Sequence, residues 1–147
     1  SSIQDAAPFG NDEGSDALWE LSDLLRRRPK ADLTNYPASL LMKLYHLPFC
    51  PPKGETKDEL EAQRGITLGD RDTLEQLRRT DRVIVALALA QVKITGELSK
   101  QLYELALRSL ERLGKLKSIG VTVRCSVELL AEERSDLETY ASSVPLV

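Results

Sequence analysis

Between Asp72 and Lys117 the sequence reads as two long helices joined by a tight turn, and this stretch constrains the fold more than any other. The first helix opens at Asp72, three residues ahead of Glu75, and runs into an uninterrupted apolar stretch from Val83 to Ala90. The second follows Thr95-Gly96 and sets Leu98, Leu102, Leu105, Ala106, Leu110, Leu113 and Leu116 on one face. On a helical wheel that face is wider than the roughly 100° of a one-sided surface helix. Such a helix needs cover on several sides, from its own chain or from a second copy. Val83-Ile84-Val85 is β-branched, so a buried strand over Arg82 to Thr95 is the rival reading. The Leu and Ala content of residues 86–90 and the unbroken run from Asp72 favour helix.

Shorter elements are expected around this pair. Residues 1–14 are polar and acidic and read as a mobile arm ahead of one globular domain, 15–147. Ser15 is the expected N-cap of a helix to about Arg28, with Pro29 as its stop. A second helix is expected from Pro37 to Tyr45, and Thr56 with Glu59 has the spacing of a capping box. Ile66-Thr67-Leu68, between Gly65 and Gly69, reads as an extended link or very short strand. Beyond Gly120 the apolar period changes: Val121, Val123, Cys125, Val127 and Leu129 alternate with polar residues, which predicts a strand at about 120–130. Ser135 with Glu138 suggests a last short helix, and the end from Ser142 reads as loose. The expected fold is mainly α, or α+β if the C-terminal strand finds a partner.

Charge is distributed in blocks. Residues 1–23 hold six acids and no base, and residues 128–147 hold five acids and one base. Residues 76–127, between them, hold ten bases and four acids. A basic segment of this kind meets a polyanion or docks on the chain's own acids. With a sequence pI near 5.3, internal docking is the better reading.

Few residues suggest catalysis. His46 is the lone histidine and Cys50 follows it, but Pro48 breaks the helix that would align them and no third orienting group is evident. One His and two distant Cys, Cys50 and Cys125, make neither a zinc set nor a disulfide pattern. Asp70-Arg71-Asp72 reads as capping chemistry rather than a cation motif, and no phosphate-binding glycine loop occurs. No cofactor or metal is expected. Leu21, Leu24 and Leu25 form an LxxLL pattern, the shape of a groove-docking helix, and Pro48 to Lys53 resembles a polyproline ligand. Arg26-Arg27-Arg28-Pro29-Lys30 reads equally as a dipole-compensating helix end and as a phosphate contact or nuclear import signal.

No apolar run reaches the length of about 18 residues that a membrane span needs. An intracellular, cytoplasmic location is expected, with the nucleus as an alternative.

The leading expectation is a non-enzymatic assembly module that binds itself and another protein. Leu98, Leu102, Leu105, Leu110, Leu113, Val121, Val123 and Val127 would form its interface. The alternative is a structural protein on nucleic acid, such as a viral matrix or nucleocapsid-associated component. There Arg78, Arg79, Arg82, Arg108, Arg112, Lys115 and Lys117 would gather at one end of the hairpin.

Overall fold

The computed structural model describes residues 12–147, so the expected mobile arm lies, up to residue 11, outside the described residues. The fold is mainly helical: α1 (Asp12–Arg27), α2 (Tyr36–Tyr45), α3 (Lys57–Glu61), α4 (Thr73–Thr95), α5 (Lys100–Ser118) and α6 (Val127–Ser143). Two-residue strands β1 (Thr67–Leu68) and β2 (Arg71–Asp72) pair antiparallel, Thr67 opposite Asp72, around Gly69 at φ +69°. Ser15 is not a cap: α1 starts earlier, and residues 12–14 belong to it.

The centre of the molecule is α4. The Asp72 carboxylate accepts the Glu75 N–H at 3.1 Å, and Gly96 closes the helix in the left-handed region at φ +71°. From Thr73 to Gln91 every residue except Glu75 and Arg79 is buried, because α1 and α2 pack on this helix as well as α5 and α6. A helix apolar around its circumference must sit in the middle. Burial on all sides also explains why Val83-Ile84-Val85 is helical here, since packing overrides the small propensity cost of β-branching.

The wide leucine face of α5 is closed by the chain itself. Leu98, Leu113 and Leu116 are fully buried, Leu102 and Leu110 nearly so, against α4, α6 and α3. Leu98, Leu102, Leu110 and Leu113 are therefore core, not interface. Leu105 and Val121 are half-buried against the same core, and Val123 is buried. Of the expected interface residues only Val127 stands out in solvent, at 62% exposure. The C-terminal segment, expected to be loose, is pinned beside the α4–α5 turn. Leu98 N–H donates to the Pro145 carbonyl at 3.0 Å, and Val147 N–H donates to the Leu98 carbonyl at 2.9 Å.

The expected strand at about 120–130 is absent. Residues 121–126 form a loop with Arg124 at φ +58°, and the Ser126 hydroxyl accepts the Leu129 N–H at 3.0 Å to start α6. Val123 and Cys125 do face inward in alternation, yet among the described residues no neighbouring strand receives their backbone groups, and alternation alone does not make a sheet. Val127 and Leu129 already belong to α6, whose buried residues Leu130, Glu133 and Leu137 follow helical spacing. Ser135 lies inside α6 rather than capping a new helix.

Other local readings hold. Thr56 and Glu59 form the reciprocal capping box at 3.1 and 3.2 Å. Pro37 sits in the first turn of α2, which His46 closes at φ +55°. The LxxLL leucines are core instead: Leu21 and Leu25 are buried and Leu24 packs beside them.

Candidate functional site

The antiparallel hairpin does bring the basic residues of α4 and α5 to one end, and there acids meet them. The Arg112 guanidinium donates from Nε and Nη2 to both Asp81 oxygens, at 2.9 and 2.8 Å. It also donates to Glu55 at 3.0 Å and to the Cys50 carbonyl at 2.8 Å. These bonds bind the proline-rich connector 46–56 across α5, and Lys115 adds one to the Glu55 carbonyl at 2.6 Å. Pro52 is buried in this strap, so Pro48 to Lys53 is not a free polyproline ligand.

Arg78 pairs with Glu13 of α1 at 2.9 Å and with Glu75 at 2.6 Å. Arg82 pairs with Glu133 of α6 at 3.0 Å, and the Cys125 thiol approaches the same carboxylate at 3.8 Å. Arg79 lies 4.6 Å above the Tyr45 ring and 3.6 Å from Glu13. The basic segment thus docks on acids from both ends of the chain. Arg78, Arg82 and Arg112 are buried and engaged, which removes them from the expected nucleic-acid surface. Arg108 remains exposed; Lys117 is half-buried.

Burial and pairing pull these groups in opposite directions. For Asp81, entirely enclosed, burial prevails over the Arg112 attraction and pushes the carboxyl up to about 7. Burial likewise raises Glu133 despite Arg82, and pushes the Cys125 thiol up to about 11, helped by Glu133. Such a thiol is protonated at neutral pH and a poor nucleophile. Burial also opposes the charge on Glu13, but Arg78 chiefly outweighs it and holds that carboxyl low. Glu55 ends low too, against burial, through backbone N–H bonds and Arg112. The Glu133 Oε2 has no hydrogen-bond partner. The clusters tie helices together. A shallow cleft of about 550 Å³ lies elsewhere, along Arg28, Pro29, Lys30, Ala31 and Asp32.

What remains on the surface is of a different kind. Trp19 on α1 is 63% exposed and Met42 on α2 is 51% exposed. Lys43 pairs with Glu20 at 2.7 Å, and the Tyr45 hydroxyl donates to Asp16 at 3.1 Å, linking α2 to α1. Arg26, Arg27, Arg28, Pro29 and Lys30 are all exposed at the end of α1. Sequence reasoning passed over Trp19 and Met42, although Trp19 falls opposite the Ala17, Leu21, Leu25 stripe on the helical wheel. Among the described residues no helix is long and apolar enough to cross a membrane, and no cluster of three His, Cys, Asp or Glu is placed to hold a metal.

The chain is similar to YfeS of Escherichia coli (strain K12), an uncharacterized protein, with 27% identity over 106 residues. That similarity covers 72% of this chain but only 41% of YfeS, so the chain spans about two fifths of its relative's length. No protein family model matches the sequence, and no solved structure matches it.

Proposed function

We propose that this chain is a non-enzymatic protein-interaction module that self-associates, and that the outer face of α1, rather than the leucine hairpin, makes the contact. The observation that carries this reading is Trp19, the chain's one tryptophan, 63% exposed on the side of α1 that faces away from the core. Tryptophan is enriched among the residues that dominate interface energetics. Exposed Met42 on the adjoining helix adds adaptable apolar surface. The buried arginine clusters supply a rigid scaffold behind that face. The Cys125 thiol, which burial keeps protonated, supports the non-enzymatic reading.

Light scattering from low to high micromolar concentration tests the reading. Average mass is expected to rise with concentration, and the tryptophan fluorescence maximum to shift to the blue as the indole leaves water. A constant monomer mass at high micromolar concentration overturns it. A role on nucleic acid keeps one support, the exposed run Arg26 to Lys30 beside its cleft. RNA binding that weakens steeply with salt would favour that alternative.

A further inference from the structure

Residues 46–56 cross from α2 to α3 without secondary structure, with Leu47 and Pro52 buried. Pro48, Pro51 and Pro52 keep this segment extended. Among the described residues, the hydrogen bonds that tie residues 48–55 to the rest of the chain all come from α5. Arg112 donates to the Glu55 carboxylate and the Cys50 carbonyl, and Lys115 donates to the Glu55 carbonyl. The other Glu55 oxygen accepts the Lys53 N–H at 2.8 Å and folds this end on itself. His46 at φ +55° and Gly54 at φ +73° stand near the two ends, as the few residues that absorb a hinge rotation do.

Arg112 faces two ways. Its Nε and Nη2 fork onto the Asp81 carboxylate of α4, while Nη1 and Nη2 reach out to Glu55 and the Cys50 carbonyl. If the segment leaves, Arg112 keeps Asp81, so an ion pair remains rather than a stranded charge. The contact between α4 and α5 then survives. We propose that residues 46–56 form a strap that lifts from α5 as a unit while the helices stay packed, with Arg112, shared between Asp81 and Glu55, as its latch.

The groups that meet at the latch are Asp81 from α4, Arg112, Lys115 and the Ser109 hydroxyl from α5, and Glu55 from the strap. One guanidinium thus serves two carboxyls. Burial, opposed by Arg112 and aided by the Glu55 charge, is what pushes the Asp81 carboxyl up to about 7. Lifting the strap takes Glu55 away and admits water, and each change lowers that value. A carboxyl that holds its proton less tightly in the lifted state favours that state once the proton is gone. The strap is therefore held more firmly at pH 6 than at pH 8. Lifted, it opens the half-buried Cys50 thiol and the two α5 cations to solvent.

Native-state proteolysis of the full chain tests the strap. Trypsin cleavage after Lys53, followed by mass spectrometry, reports lifting, since a protease needs several residues of free chain. Each rate is divided into that of the same variant unfolded in urea, which removes the substitution's own effect on cleavage. Labelling of buried Cys125 by a maleimide serves as the measure of global opening. Glu55→Gln and Lys115→Met are each expected to lower protection at Lys53 at least about fivefold, with Cys125 labelling unchanged. In the wild type protection should fall from pH 6 to pH 8. His46→Asn, at the strap's own end, should keep that fall, and Asp81→Asn should flatten it. If cleavage at Lys53 and labelling of Cys125 rise together, the opening is global and the strap is overturned. Unchanged protection in both latch variants overturns it equally. A flat wild-type profile, or one that His46→Asn abolishes, overturns the sharing of Arg112 between the two carboxyls.

Discussion

The hairpin interior and the outer face of α1 both combine apolar side chains with arginines, yet they use them in opposite ways. Inside, Arg112 is held by hydrogen bonds to Asp81, Glu55 and a backbone carbonyl, with its side chain 2% exposed. Outside, Arg26 and Arg27 lean on one carboxylate in open solvent. A buried guanidinium has no water to fall back on, so removing its partner strands a charge. A solvated one loses little when a partner leaves. The interior arginines fix the fold, and the exterior ones contribute little to it.

The sharpest way to break this contrast is to strand the interior charge. Asp81→Ala should cost about 3–5 kcal/mol in urea denaturation, because Arg112 keeps only Glu55 and the Cys50 carbonyl. A loss below 1 kcal/mol would put the cluster among ordinary surface pairs. Next, Leu113→Ala should cost about 2–5 kcal/mol by opening a cavity between α4 and α5. It should leave the concentration dependence of mass unchanged, apart from any unfolded fraction. A selective loss of self-association instead would return the leucine face to the interface.

A smaller effect lies in the pH profile. Between pH 4 and about 7 the folded protein keeps a proton on Asp81 that the unfolded chain has released. The contribution of this carboxyl to stability is therefore full below pH 4, falls as pH rises through that window and levels off above it. Comparing wild type with Asp81→Asn over this range isolates the slope; parallel profiles would contradict the raised carboxyl. The smallest change in stability belongs to the outer face. Trp19→Ala should alter unfolding by no more than about 0.5 kcal/mol while abolishing the rise of mass with concentration. A large destabilisation would show that Trp19 packs on its own chain after all.

Much of the architecture was legible because its signals are local. Asp72, Thr56 and Gly96 act within one helical turn, and each sits where its spacing implied. The blocky charge also pointed correctly toward internal docking, although not to the pairs Arg78–Glu13 and Arg82–Glu133. The alternation from Val121 to Leu129 misled because it crosses a boundary. Val123 and Cys125 are inward loop residues, whereas Val127 and Leu129 open a helix capped by Ser126. Two-residue periodicity reports which side chains face inward, and it is silent on whether a neighbouring strand exists to complete the hydrogen bonds.

By itself, then, the sequence determined that residues 72–117 form two helices needing cover on many sides, since periodicity, caps and breakers operate over a few residues. Tertiary structure decided what gives that cover. It laid α1, α2, α3 and α6 over the pair, withdrew Arg78, Arg82 and Arg112 from solvent, and left Trp19 outside. Burial is a property of which distant segments come together, and their order along the chain does not state it.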